Sequence, residues 1–473
     1  MTPEGVAVLR MHVVRAGGVD YYVRDLVPGR SEGTGVAGES PGVWTGQGCA
    51  VLGVRSTVAA EEFSELLAGR DPHGERTLRT GRGARSVSGV DLLFCAPKSV
   101  SLLHMLGPRE LSEATGAAHR DAVADTLGYL EREVLGVRRT RAGGTAHLST
   151  TGAVAAAFVH RTSRSLDPHL HTHLVTANVA QGVDGLWSSV DTRRLFHHRR
   201  PLEALYGASL RDQLSDRLGV AWERGATGRW ELAGVDPVLS RLFSQRAASI
   251  DEHVFRSGVG SPGRRRVASH VDRPAKEVGR TVADLRVAWR RRAADHDLDP
   301  ADLVRVVGRA RTGPDRRAVD PEELSARLAL HAGRNASLGR RDLVALVAES
   351  SPAGLRAGHV EIVAAAVGRA AGDAGRAREV DRGGGPATTT RSPTPAGVRW
   401  DVEDIGRVLD VAGAVGEGLA GGLAGDPGTL RSRSTGPIRG PERDPGLDGD
   451  GAYVVRGRDG ARSRDGRERI ARW

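Results

Sequence analysis

Lysine is almost missing from this sequence: all but two of its 68 Lys and Arg residues are arginine, and the two are Lys98 and Lys276. A P-loop needs a glycine-rich turn closing on Gly-Lys-Ser/Thr, because the lysine ammonium must reach nucleotide phosphates. Lys98 follows Ala96-Pro97 and Lys276 follows Pro274-Ala275, so the chain carries no Walker A. An ATP-driven motor is excluded, and no nucleotide ligand is expected. Cysteine is equally scarce. Cys49 and Cys95 alone rule out a disulfide scaffold and a cysteine-based zinc ribbon, and fit a reducing cytoplasm. No stretch approaches ~18 uninterrupted apolar residues, so no membrane span is expected. Glu4 lies among the first residues, and no basic-then-apolar leader is present, which points to a cytoplasmic protein. With 4% aromatics and 63 glycines, not all of the 473 residues can be well packed.

What is present is length and positive charge. The length predicts two or three domains with enough chain for a real core. A net charge of +10 and a pI near 10.5 point to nucleic acid, although arginine is also favoured by GC-rich genomes. Texture divides the chain into three parts. Residues 12–295 alternate apolar runs with turns and hold most of the histidines. Residues 299–371 read as helical: VDPEELSARLAL puts Leu324 and Leu328 on one face, and RRDLVALVAE has a similar stripe. Residues 372–473 turn to Gly, Arg, Asp, Pro and Ser; so few apolar side chains cannot offset their ordering entropy, and disorder is expected. One island within it, 398–415, has the pattern of a helix starting near Asp401.

The chemistry is concentrated in two adjoining segments. AVAAAFVH reads as a strand ending at His160, and HLHTHLVTANVA alternates so that His171, His173 and Val175 share one face. RTSRSLDP between them suits a hairpin connection. Antiparallel pairing then brings His160 beside His171 and His173, three imidazoles on rigid strands, as an open metal site requires. His169 shares that face, so composition alone does not say which three of the four bind; its place after Pro168, at the strand's mouth, reads as surface. In SGVDLLFCAPKSVSLLHMLG, VDLLFC reads as a buried strand and Pro97 as the start of a helix. Asp91 is a lone carboxylate on that strand, and a buried carboxylate needs a partner such as the N–H of a metal-bound histidine. Two of only five tyrosines are adjacent, Tyr21 and Tyr22 in RAGGVDYYVRDL. Such a pair is ordinarily packing, since a phenol with a pKa of about 10 is a poor nucleophile until a metal or base activates it.

Together these pieces resemble a known family. RAGGVDYY (15–22), GVWTGQGCAVLGV (42–54), VDLLFCAPKSVS (90–101), FVHRTSRSLDPHLHTHLVTAN (158–178), ALYGASLRDQL (204–214) and LGVAWE (218–223) are similar to the relaxase domain of MobF/TrwC-type plasmid conjugation proteins, within the HUH endonucleases. The resemblance implies an α+β fold: an antiparallel β-sheet palm flanked by helices, here followed by the helical segment and the disordered tail. It implies metal-dependent nicking of single-stranded DNA at an origin of transfer through a 5′-phosphotyrosine. It assigns His160, His171 and His173 as metal ligands, the interval of 11 between the first two matching the family, and leaves His169 out. Asp91 becomes the acidic residue that accepts a proton or orients a histidine. Tyr21 becomes the usual nucleophile, with Tyr22 as its catalytic neighbour. Conjugation accessory and coupling proteins are the implied protein partners.

Three departures stand out. Relatives often carry a second tyrosine pair a few residues on, and here no tyrosine follows before Trp44. The first tyrosine usually lies nearer the N-terminus, so residues 1–11 read as an N-terminal extension and Met11 as a candidate start. The helicase half of many relatives is absent. The expected cofactor is a divalent cation: Mg or Mn by the resemblance, with Zn, Co and Ni also acceptable to imidazole. Arg194, Arg199 and Arg200, and Arg264, Arg265 and Arg266, are candidate phosphate contacts. Trp44 and Trp187 are candidates for base stacking, with core packing the plainer role. A rolling-circle initiator of the same chemistry and a truncated, non-catalytic DNA-binding regulator are the competing readings.

Overall fold

Apolar alternation builds one five-stranded sheet and sorts its two faces by residue parity. The protein is described from a computed structural model covering residues 8–27, 39–245 apart from positions 55, 82 and 142–143, 248, 280–310, 319–334 and 338–381. Its strands are β1 (Leu9–Arg15), β2 (Val43–Thr45), β3 (Val87–Cys95), β4 (Val137–Arg141), β5 (Gly144–Leu148), β6 (Ala155–Thr162) and β7 (Pro168–Ala177). Shorter strands follow: β8 (Ala180–Gln181), β9 (Trp187–Ser188), β10 (Trp222–Arg224) and β11 (Trp230–Leu232). The main sheet runs β1-β3-β7-β6-β2, each neighbouring pair antiparallel. The helices are α1 (Val19–Leu26), α2 (Gln47–Val51), α3 (Ala60–Ala68), α4 (Lys98–Leu106), α5 (Arg109–Tyr129), α6 (Thr192–His197), α7 (Arg199–Leu218) and α8 (Pro237–Leu242). Beyond them lie α9 (Val282–Ala294), α10 (Pro321–Arg334), α11 (Arg340–Glu349) and α12 (Ala357–Asp381).

Even positions of the two central strands (Val90, Leu92 and Phe94 on β3, Leu170 and Leu174 on β7) point into a large core shared with α4, α5 and α7. α4 is buried from Ser99 to Leu106. Pro97 stands just before its first residue, with ψ 157°. Odd positions point to the other face. There Val175 and Ala177 join Val14, Phe158, Trp44 and Phe63 in a second core under α1 and α3. Trp44 is buried and its Nε1–H donates to Glu62 at 3.0 Å; Trp187 is half-buried against the same cluster. α7 ends at Gly219, whose φ of +60° is the left-handed cap that glycine adopts without strain.

Two expectations about boundaries change. Residues set apart as an extension enter the sheet: Leu9 opens β1, is fully buried and sits opposite Phe94. The helical segment after 299 is also not a separate layer. Leu303, Leu324, Leu328, Val344, Val347 and Val360 pack into the same core as Leu92 and Leu174, and Arg211, buried on α7, donates to the carbonyls of Ala348 and Ser351. α12 continues to Asp381, past the boundary expected at 371. The rest of the tail, including the island at 398–415, lies outside the described residues, as do Arg264, Arg265 and Arg266. Among the described residues no helix is long and apolar enough to cross a membrane.

Two core histidines make the fold acid-sensitive. His119 accepts and donates through both nitrogens, to the Tyr206 hydroxyl at 2.8 Å and the Thr172 hydroxyl at 2.7 Å. Burial pushes it down to about 3, and the same cause pushes His104 down to about 4. The unfolded chain takes up these protons near pH 6.5 and the folded chain does not. Stability is therefore intact above about pH 6.5 and falls as pH drops toward about 4, by at most about 1.4 kcal/mol per pH unit per histidine. Urea unfolding from pH 7.5 to 5 should show this slope. His119→Gln should lower stability at pH 7.5 and flatten the slope; a pH-independent midpoint contradicts the assignment.

Candidate active site

The site begins with a hairpin. β6 and β7 pair with His160 opposite His171 and Phe158 opposite His173. Ser163 N–H donates to the Asp167 carbonyl and Leu166 N–H to that of Ser163, closing the turn. A bulge between His160 and Thr162 adjusts the register near it. The period of two then puts His160, His171 and His173 on one face, with ring centroids 5.3, 5.3 and 5.4 Å apart. One nitrogen from each lies within 4.8 Å of the others.

Each of two rings has its tautomer set from behind. His173 Nδ1–H donates to Asp91 Oδ2 at 2.9 Å, and His171 Nδ1–H donates to the His169 carbonyl at 2.9 Å. Their Nε2 lone pairs are left for a ligand. Burial, reinforced by neighbouring His173, lowers His171 to about 3, so its ring is neutral and able to donate electron pairs. Three convergent imidazoles with fixed partners behind two of them fit a borderline divalent metal, and leave coordination positions open. His169 is not the surface residue its position suggested: it is half-buried, and its ring stacks on His171 at 4.8 Å and 29°.

Helix α1 brings the tyrosines to this face. Val19, Val23 and Leu26 bury one side of it, and Ala16 and Gly17 N–H groups donate to the carbonyls of Ser86 and Ala84, fixing its entry. Tyr21 is 37% exposed, and its hydroxyl accepts from Arg164 Nη2 at 2.8 Å. Tyr22 points inward, its hydroxyl donating to Asp91 Oδ2 at 3.4 Å; burial and then the nearby Asp91 carboxylate raise its pKa. Asp91, 2% exposed, thus joins the tyrosine helix to the histidine strand.

Tyr21, Tyr22, Asp91, His160, His171 and His173 are therefore brought together. The arginines called from sequence are not gathered in the same way. Arg194 is half-buried and donates to the Glu133 carbonyl at 2.9 Å, a structural bond between α6 and the helical turn Leu130–Val134 that follows α5. Arg199 is exposed on α7. Arg200 pairs with Glu349 through two contacts of 3.2 and 3.1 Å and lines a cavity of about 520 Å3. That cavity starts at His169 and is also lined by Arg10, Lys98, Arg229 and Trp230, the last with Arg224 stacked at 3.9 Å. Two residues were missed. Arg164 read only as part of a turn, since its partner Tyr21 lies 143 positions away in sequence. Lys98 holds the strand's mouth: its ammonium donates to the carbonyls of Pro168 and Phe243, each at 2.7 Å.

An antiparallel palm presenting three histidines to a tyrosine on an adjoining helix defines the class of site seen in metal-dependent strand-nicking proteins. Residues 8–296 match the TrwC relaxase family, and the chain belongs to that family. It is 33% identical over 311 residues to the multifunctional conjugation protein TraI of Escherichia coli, and 32% over 300 residues to TraI of strain K12. Each match covers 58% of this chain, and only 17% and 16% of those relatives, so the chain spans about a sixth of their length. It is also similar to the conjugative relaxase TrwC solved with oriT DNA. The metal-bound form aligns with TM-score 0.55 and the metal-free form with 0.54, both 30% identical, covering 62% of this chain and all of theirs.

If Asp91 fixes the His173 tautomer, Asp91→Asn should lower Mn2+ affinity roughly 10- to 100-fold with the fold retained. Calorimetric titration of the folded variant checks this, and unaltered affinity rejects the role.

Proposed function

We propose that the chain nicks one strand of DNA at an origin of transfer and holds the cut 5′ end on Tyr21. The observation that carries this reading is one exposed phenol, hydrogen-bonded through Arg164 to the turn of the hairpin that carries a three-imidazole cluster. His160, His171 and His173 would hold a divalent cation, which when bound supplies positive charge to the phosphoryl oxygens. Tyr21 oxygen attacks phosphorus, a phosphotyrosine diester forms, and the bond to the 3′ oxygen breaks to leave a free 3′-hydroxyl. Since one diester replaces another, the step reverses on an incoming 3′-hydroxyl without ATP. Arg164 donates to the tyrosine oxygen and so holds it in place at the turn of the histidine hairpin. Asp91 acts as the orienter of His173, its Oδ2 already taking two donors, rather than as the proton acceptor for Tyr21.

The proposed substrate is single-stranded DNA of an origin of transfer; TrwC is solved in complex with oriT DNA. Its strand would pass the cavity lined by His169, where Arg200 and Arg229 meet phosphates. Arg199 remains a candidate for the outer part of that path, whereas Arg194 is occupied within the fold. Mn or Mg is proposed as the cellular ion; the imidazole set also accepts Zn, Co and Ni, and TrwC itself is known in a copper-bound form. The reaction is placed in the cytoplasm, with conjugation accessory and coupling proteins as partners.

Single-stranded origin DNA incubated with the protein and Mn2+ should give a covalent adduct on a denaturing gel, lost with EDTA and in Tyr21→Phe. Specific binding without an adduct under any metal would instead make the chain a regulator. Arg164→Ala should slow adduct formation roughly 10²-fold in single-turnover assays. An unchanged rate removes Arg164 from the chemistry.

A further inference from the structure

The two adjacent tyrosines have different surroundings, and the difference divides their work. Tyr21 turns its hydroxyl outward to Arg164. Tyr22 is half-buried against the cluster that contains Trp44 and Phe63, and its hydroxyl reaches the carboxylate of Asp91. The two rings meet edge-on, with centroids 5.7 Å apart and planes at 88°. Bringing the Tyr22 oxygen to where the Tyr21 oxygen stands would pull an aromatic ring out of the core, which costs buried apolar area.

Asp91 has a specific need for Tyr22. Oδ2 accepts from both His173 and Tyr22, while buried Oδ1 has no hydrogen-bond partner among the described residues. A carboxylate held by one histidine alone can rotate about its own bond; a second donor on the same oxygen fixes the plane. Whatever fixes that plane also fixes the His173 ring, and with it the nitrogen aimed at the His160–His171 cluster.

We infer that Tyr22 is a positioning residue that sets the Asp91 carboxylate, and that Tyr21 is the single attacking tyrosine of the active site. This rests on the proposed strand-nicking reading. Among the described residues no other tyrosine supplies a second nucleophile there. Tyr129 and Tyr206 are 1% and 0% exposed in the core, the Tyr206 hydroxyl is engaged with His119, and Tyr453 lies outside the described residues. A chain already carrying a strand on Tyr21 can then release it only to a 3′-hydroxyl, and a second cut in the same event uses a second copy of the chain.

The test uses the full chain and two origin oligonucleotides of different mass. Intact and peptide mass spectrometry should find at most one adduct per chain, on Tyr21, even with both oligonucleotides in excess. Tyr22→Phe keeps the ring and removes the hydroxyl. It should still form that single adduct, while its Mn2+ affinity falls about tenfold and the His173 Nδ1 ¹⁵N resonance shifts. Adding Asp91→Asn should bring little further loss, because both changes act through one carboxylate. An adduct on Tyr22, two adducts on one chain, or a Tyr22→Phe protein with unchanged Mn2+ affinity and unchanged His173 resonance overturns the inference. If no tyrosine forms an adduct with any metal, the strand-nicking reading fails, and the affinity and resonance of Tyr22→Phe still decide whether Tyr22 positions Asp91.

Discussion

The register of the β6–β7 hairpin is the constraint from which the rest of the site follows. Strand side chains alternate, so a slip of one residue would send His171 and His173 into the apolar core and bring Thr172 to the front. The structure holds this register from several sides. β7 is paired along both edges, with β3 and with β6. The Ser101 hydroxyl accepts from Leu170 N–H, the Lys98 ammonium caps the Pro168 carbonyl, and His119 grips Thr172 from behind. These contacts come from α4 and α5, helices that touch no part of the proposed chemistry. They are the reason that two short strands can present three rings at fixed separations.

The front of the sheet is divided in turn. One part is a small apolar core under α1 and α3, and the other carries the imidazoles. Tyr21 and Tyr22 sit at that border, which is why neighbours in sequence meet such different surroundings. The same border has an electrostatic side. Burial withholds protons from His171, while Tyr21 stays open and next to a guanidinium. The three-imidazole cluster and the open Tyr21 phenol are thereby carried by one hairpin and the helix tied to it through Arg164.

Much of this was legible in the sequence because it depends on local periodicity. The common face of His160, His171 and His173, the burial of Asp91 on an apolar strand, and the stripe of Leu324 and Leu328 follow from residue spacing alone. Long-range contacts were less accessible. Arg164 reaches Tyr21 across 143 positions, and nothing in RTSRSLDP distinguishes it from an ordinary turn arginine. In an arginine-rich chain, residue type also could not separate Arg194, spent on a backbone carbonyl, from Arg200 in the cavity wall. The outset of the sheet at Leu9 was hidden because one inward leucine before Met11 is too short a pattern to read.

Arg211 bears on what counts as the folded unit. It is a cation 5% exposed, lowered by burial to about 9, and its hydrogen bonds go to carbonyls of residues 348 and 351. Those acceptors lie well beyond residue 296, where the family match ends. A chain ended at that point would lose those acceptors and would uncover the apolar residues of α7 that pack against Val344 and Val347. The helices that follow the family segment therefore share one core with it.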